Sequence, residues 1–197
     1  MTTRTDRTAA VRIAWAATKL TRAGKHPIAI GRLAGTVGVD PAEAHRLMDL
    51  MGFVIRDGLV LMDRGMDRGS RPGVADRAGG DGYRMDLFLL AIATGEPVHA
   101  DSTCPATGAR VRVHFTRERV LSVDPPHAVV AASRLSDIDL ILGSEYIEAL
   151  ICTQFFASKE AAAGWLLDNI DGRVLSVPDY LAHARRVVAA LEAWPTI

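Results

Sequence analysis

The stretch MDLFLLAIATGEPVHADSTCPATG, residues 85–108, decides the fold of this chain. Its first half is almost entirely apolar and much shorter than the ~20 residues that a membrane span needs, so it predicts a buried helix over residues 84–93. Gly95 and Pro97 end that helix, because neither residue continues helical geometry well. A core helix is therefore expected to begin close to the carboxylate of Asp86.

The second half of the stretch predicts a β-hairpin. Residues 98–103 and 109–116 alternate apolar and polar side chains, and the CPATG segment between them is typical of a turn. Two more strands are predicted over residues 120–123 and 128–132, and we expect them to extend the same sheet. The chain from Asp86 onward therefore mixes helices and strands.

The rest of the C-terminal half continues this mixture. The apolar pattern predicts a buried strand over residues 147–156 and a helix that Ser158 caps, with Trp165 on its inner face. A short strand over residues 173–177 and a final helix over residues 178–194 complete the lobe.

The first sixty residues predict three helices followed by a hairpin. Helices are expected over residues 8–22 and 28–37, and a third follows Asp40, which is placed to cap it. The Asp57-Gly58 pair is the strongest short-range signal for a hairpin turn. Three helices and a β-ribbon are typical of a winged helix.

The charge of this winged helix does not fit DNA recognition. The third helix presents His45 and Arg46 beside Glu43 and Asp49, whereas a helix that reads a DNA groove usually offers several basic or amide side chains. We therefore expect a packing or interaction module and no nucleic-acid partner.

Composition places the chain among ordinary globular proteins. Its 197 residues carry 23 basic and 23 acidic side chains, so no net charge steers it toward a polyanion or a membrane surface. Two cysteines make no disulfide framework, and neither a signal peptide nor a membrane span is recognisable. We expect a cytoplasmic protein with no membrane association.

Three segments are predicted along the chain. Residues 1–64 form the winged-helix-like domain, and residues 83–197 form the mixed α/β domain. Residues 65–82, which are rich in Gly, Arg and Asp and lack an apolar period, are expected to be a flexible linker.

The residues from Asp86 to the CPATG turn, followed by ICTQFFAS and then Trp165, resemble the organomercurial (alkylmercury) lyase family. The resemblance implies an α+β fold with an N-terminal winged-helix-like lobe and a mixed α/β lyase-like lobe. In that family a cysteine and an aspartate form a C-x-x-D motif, and a second cysteine comes from a distal segment. Here Asp86 matches the aspartate, while Tyr83 occupies the cysteine position.

What the resemblance implies about the site follows residue by residue. Asp86 matches the proton donor, Cys152 lies in the distal cysteine segment, Tyr83 would position the substrate, and Cys104 matches a cysteine that is usually structural. Cys152, and with weaker support Cys104, are the expected ligands of a soft metal. The implied function is protonolytic cleavage of a carbon–metal bond, altered or reduced because Tyr83 cannot supply a thiolate.

The residues alone leave other interpretations open. Asp86 also fits a helix N-terminus, where negative charge is favourable, and free cysteines are often inert and buried. His99, Asp101 and Cys104 form a second possible metal set, on a strand entering a turn. The alternative function is a non-catalytic ligand- or metal-binding regulator with a winged helix. No resident cofactor is expected; a soft metal ion such as mercury would be a substrate or product. The expected partner is a small apolar or organometallic substrate.

Overall fold

The structure is a computed structural model that describes residues 4–21, 26–50, 53–61, 87–132 and 154–193. Its helices are α1 (Arg4–Thr21), α2 (Ile30–Val37), α3 (Pro41–Leu50), α4 (Leu87–Thr94), α5 (Ala163–Asp168) and α6 (Val177–Ala193). Its strands are β1 (Ile28–Ala29), β2 (Val54–Arg56), β3 (Leu59–Leu61), β4 (Val98–Thr103), β5 (Arg110–Phe115), β6 (Val120–Asp124), β7 (Val129–Ala132), β8 (Gln154–Phe156) and β9 (Arg173–Ser176).

The N-terminal part packs α1, α2 and α3 against a small antiparallel sheet of order β1-β3-β2. Its core is apolar and fully buried at Ile13, Leu33, Leu47, Met48 and Val60. These residues come from all three helices and from the central strand, so each element buries one face in a shared cluster.

One boundary in this part differs from the sequence prediction. The helix predicted over residues 28–37 begins only at Ile30, because Ile28 and Ala29 form strand β1 and pair with β3. Ile28 is buried opposite Val60, and this pairing gives the sheet its third strand. Long-range strand pairing therefore overrides the local helical period.

The predicted turn chemistry of the N-terminal part is confirmed. Asp40 Oδ1 accepts hydrogen bonds from the backbone N–H groups of Ala42 at 2.9 Å and Glu43 at 3.0 Å, as an N-cap residue does. Asp57 and Gly58 have φ values of 51° and 72°, the positive pair that a two-residue hairpin turn of type I′ requires. Local side-chain chemistry thus fixes both the start of α3 and the β2–β3 register.

The C-terminal part contains two three-stranded sheets instead of the single sheet that we predicted. Strands β4, β5 and β6 form one antiparallel sheet, and the other has the order β8-β7-β9. The prediction that residues 128–132 extend the first sheet is therefore wrong. Pro125 and Pro126 interrupt the chain after β6 and lack the N–H groups that a continuing ladder needs. All four residues of β7 are buried, as suits a central strand.

Helix α4 lies at the centre of the C-terminal core, as predicted. The ring of Phe88 stacks on Phe115 of β5 with centroids 4.3 Å apart and meets Tyr180 of α6 edge-on at 4.9 Å. Gly95 ends the helix with a φ of 72°. The apolar run after Asp86 is thus the element on which a sheet and the last helix converge.

A second aromatic contact organises the chain after β8. Ser158 Oγ accepts a hydrogen bond from the Ala161 N–H at 3.2 Å, and a turn then leads into α5. Trp165 of α5 is partly buried and packs against Phe156, with ring centroids 6.5 Å apart. The contact with Phe156 confirms that Trp165 faces inward. The prediction that Ser158 caps the helix is wrong, because α5 begins only at Ala163, after Ala162, and its start has no side-chain cap hydrogen bond. Ser158 instead closes the turn that precedes the helix.

Contacts also join the two parts. Trp15 of α1 belongs to the C-terminal cluster that contains Phe88 and Leu89, and Lys19 Nζ pairs with Glu192 Oε1 of α6 at 2.5 Å. The class is α+β, as predicted. The winged-helix assignment and the division into 1–64, 65–82 and 83–197 stay predictions, and residues 62–86 lie outside the described part. None of the described helices combines the length and the apolar character that crossing a bilayer requires.

Candidate active site

The three predicted catalytic residues, Tyr83, Asp86 and Cys152, lie outside the described residues. The mercury-binding role of Cys152 therefore stays a prediction. The nearest described residues on the chain are Leu87 and Gln154. Asp86 immediately precedes Leu87, where α4 begins, and Cys152 stands two residues before Gln154, where β8 begins.

The described elements next to Asp86 and Cys152 meet in one core. Phe88, two residues after Asp86, lies 6.1 Å from Phe155, three residues after Cys152, measured between ring centroids. Both phenylalanines are buried in the C-terminal cluster. The structure therefore brings together two chain segments that are more than 60 residues apart in sequence.

Among the four site residues implied by the family resemblance, Cys104 is the one that the structure describes, and its thiol is free and fully buried. The turn around it is closed by two backbone hydrogen bonds. The Cys104 N–H donates to the Ala109 carbonyl at 2.7 Å, and the Gly108 N–H donates to the Cys104 carbonyl at 2.9 Å. Gly108 has a φ of 71°, a conformation that glycine adopts without steric cost. The CPATG motif therefore holds the thiol in place with its backbone.

Hydrogen bonds around the Cys104 sulfur favour the thiolate. Burial alone would raise the pKa of this thiol, but hydrogen bonds from the Thr107 side chain and from the backbone of Ala157, Thr107 and Ala106 outweigh it. The net result is a pKa below the ordinary value. Ala157 directly follows β8, so this thiol ties the CPATG turn to the segment that continues from Cys152.

The alternative metal set of His99, Asp101 and Cys104 is wrong. Both carboxylate oxygens of Asp101 accept hydrogen bonds from Arg110, while Cys104 points into the core. Within the described ranges no group of three or more His, Cys, Asp or Glu side chains could hold a metal ion. The strand period places His99 and Asp101 on one face, as predicted, but the turn carries the thiol to the interior.

The comparisons with known proteins agree with this architecture. The alkylmercury lyase (MerB) family model matches residues 84–189, more than half of the chain and a range that contains Asp86, Cys104 and Cys152 but not Tyr83. An alkylmercury lyase from Streptomyces lividans is 32% identical over 109 residues, covering 54% of this chain and 48% of the relative. One from Bacillus cereus is 31% identical over 97 residues, covering 48% and 42%.

The same likeness extends to a solved structure. The crystal structure of the mercury-bound form of MerB2 superimposes with a TM-score of 0.58, covering 95% of this chain and 98% of that one at 11% identity. At that identity the match shows the fold. In sequence, the chain spans about half the length of the curated relatives it matches. On the strength of the family match over residues 84–189, this chain belongs to the alkylmercury lyase family.

Proposed function

We propose that this protein cleaves carbon–mercury bonds by protonolysis, with an organomercurial as its substrate. Asp86 and Cys152 both fall within the range that matches the family. The observation that carries the proposal is the contact between Phe88 and Phe155, because these buried rings belong to the two segments that lead directly from Asp86 and Cys152. This convergence supports a shared site for the acid and the thiol.

The chemistry needs one ligand for mercury and one proton for carbon. The Cys152 thiolate binds the mercury of R–Hg⁺, because thiolates are the preferred ligands of soft metals. The carboxyl of Asp86 then transfers its proton to the carbon as the carbon–mercury bond breaks, and the electron pair of that bond forms the new C–H bond. The products are RH, the Asp86 carboxylate and Hg²⁺ on the thiolate. No resident cofactor takes part.

Tyr83 sets the expected level of activity. A phenol is a poor ligand for mercury, so the proposed site has one thiolate, from Cys152, where the family has two, one from the C-x-x-D motif and one from the distal segment. A thiol from solution would take the second position and carry Hg²⁺ away. We therefore expect slower cleavage than in a protein with a C-x-x-D motif, and Tyr83 would position the substrate.

The second candidate function is a regulator that binds an organomercurial or a soft metal without cleaving it. The observation that favours it is the position of α1, which packs in the N-terminal core and also places Trp15 in the C-terminal core. Binding in the C-terminal lobe would then act on the N-terminal helices. DNA binding is not part of this proposal, because Arg46 on α3 is held in an ion pair with Glu43.

Benzene release from phenylmercury acetate in excess thiol tests the proposal. We expect release above the thiol blank, its loss in Asp86→Ala and Cys152→Ala, and an increase in Tyr83→Cys, which restores the family motif. Asp49→Ala is the matched control for Asp86→Ala, because Asp49 is an exposed carboxylate on α3. Circular dichroism of each variant confirms that it is folded.

The outcomes separate the two functions. Release that survives in either the Asp86 or the Cys152 variant would contradict the assigned roles. Mercury binding without benzene release, in a folded protein, would favour the regulator. No release from either the native chain or Tyr83→Cys would overturn the lyase proposal.

A further inference from the structure

Two histidines face each other across the outer surface of the first C-terminal sheet. His99 of β4 and His114 of β5 are directly paired in the antiparallel register, and their rings stack with centroids 3.6 Å apart and planes 20° from parallel. The neighbouring pair, Ala100 and Val113, is buried, so the period of two turns both imidazoles away from the core. His99 is exposed and His114 is partly exposed.

Both imidazoles keep their nitrogens available. Neither ring has a hydrogen bond or an ion pair with any residue that the structure describes; their contact is with each other. A neutral imidazole carries one nitrogen lone pair that accepts a proton, a hydrogen bond or a metal ion. Because β4 and β5 are already paired in the folded sheet, holding two such lone pairs close together costs no further conformational entropy of the backbone.

The spacing suits a bidentate site. With metal–nitrogen bonds of about 2.0–2.1 Å, two imidazoles on neighbouring coordination positions have ring centroids roughly 4.5–5 Å apart. The observed 3.6 Å must therefore open by about 1 Å. Small rotations about χ1 of each histidine, within a rotamer well, move the centroids apart, and rotation about the broad terminal torsion then aims the nitrogens while the backbone stays in place. The directly paired Cβ atoms, about 4.5–5.5 Å apart in such a register, already match the wider spacing.

The charged neighbours on this face determine which ion fits. Asp101 accepts hydrogen bonds from Arg110, and Asp124 Oδ2 forms an ion pair with Arg112 Nη1 at 3.3 Å. Each carboxylate is therefore neutralised by an arginine. The protein therefore supplies two nitrogen donors, and water completes the coordination. Mg²⁺ and Ca²⁺ require oxygen ligands, whereas imidazole pairs suit Zn²⁺, Cu²⁺ and Ni²⁺.

We propose that His99 and His114 form a surface site that chelates one borderline divalent transition cation, with Zn²⁺ as a representative ion. The bound ion would cross-link β4 to β5, the two strands that flank the CPATG turn and its buried Cys104. The site uses none of the proposed catalytic residues and does not depend on lyase activity.

Zn²⁺ titration of the full chain, followed by ¹H–¹⁵N NMR of the histidine side chains, tests this site. Spectra of His99→Gln and His114→Gln assign the two signals, and His45→Gln is the matched control because His45 is an exposed histidine on α3. We expect the His99 and His114 signals to shift together, saturate at one Zn²⁺ per chain and return on addition of EDTA.

The variants give the quantitative test. Changes in outer-shell partners already lower metal affinity by about 10- to 100-fold, so losing a direct ligand should weaken binding by at least about tenfold. We therefore expect that loss in each single variant and unchanged affinity in His45→Gln. The proposal is overturned if Zn²⁺ leaves both signals in place, as binding only at cysteine thiols would. It is equally overturned if all histidines shift alike, or if either single variant binds as the native chain does.

Discussion

Gly172, which precedes strand β9, occupies a position with no room for a side chain. A Cβ atom placed on it would lie 2.5 Å from Cζ3 and 2.7 Å from Cη2 of Trp165, and 2.9 Å from the Asn169 carbonyl oxygen. The Gly172 N–H also donates to that carbonyl at 2.8 Å, which fixes the backbone against the ring. Gly172→Ala must therefore displace either the indole or the turn.

The size of the effect follows from these distances. Carbon atoms pack at about 3.5–4.0 Å, so the Trp165 ring would have to move by about 1 Å, which would disturb its contact with Phe156. Inserting one methyl group into a packed position typically costs about 1–3 kcal/mol in the free energy of unfolding. Because one neighbour is a backbone oxygen that cannot rotate away, we expect a value in the upper half of that range.

Gly164 provides a matched control with the opposite expected sign. It lies in α5, and a Cβ there has no atom within 4 Å. Gly-to-Ala changes in a helix stabilise by about 0.5–1 kcal/mol, so Gly164→Ala should raise the free energy of unfolding.

Urea unfolding followed by tryptophan fluorescence measures both variants. The two should differ by roughly 2.5–4 kcal/mol in the free energy of unfolding, with Gly172→Ala the less stable. A Gly172→Ala protein as stable as the native chain would refute the packing between Trp165 and this turn.

Further predictions concern the core and the titrating groups. Phe88→Ala should lower the free energy of unfolding by about 3–5 kcal/mol in urea titrations, since it removes a fully buried ring. The pKa of His183 is lowered by burial and, to a smaller extent, by the charges of Arg186 and Arg173. Protonation of His183 therefore destabilises the fold as the pH falls below 6.5. His183→Gln should lose less free energy of unfolding on acidification than the native chain, measured by urea titrations across this pH range. Because the pKa of the Cys104 thiol is lower in the folded chain than its ordinary value of 9.0, the thiolate stabilises the fold fully above pH 9.0 and progressively less as the pH falls. Cys104→Ala should therefore lower the free energy of unfolding more at pH 9.0 than at about pH 7, which urea unfolding at the two pH values measures.

Local features were predictable from the sequence because their causes are local. The Asp40 cap, the Asp57-Gly58 turn and the end of α4 at Gly95 each depend on one or two residues whose backbone preferences are strong. The β4–β5 hairpin followed from its alternation and the turn between its strands. Such signals need no knowledge of distant parts of the chain.

The features that were missed depend on long-range pairing. Nothing near Ile28 indicates that it will pair with Val60, and the buried run of β7 reads equally well as a strand of either sheet. The facing of His99 and His114 was also missed, because it depends on the register between two strands. Once the hairpin is accepted, counting outward from the CPATG turn would have found that pair. The sequence could not fix how Asp86 and Cys152 sit relative to each other.

The family match covers residues 84–189, but the lyase-like core is not confined to that range. Trp15 from α1 is buried in it, and the Lys19–Glu192 ion pair joins the same helix to α6. Removing residues 4–21 would therefore expose the surface that Trp15 covers, and it would leave α4, which begins directly after Asp86, without one of the helices packed against it. A truncated chain that failed to release benzene would then show the loss of a supporting helix and nothing about catalysis. The roles of Asp86 and Cys152 have to be measured in the intact chain.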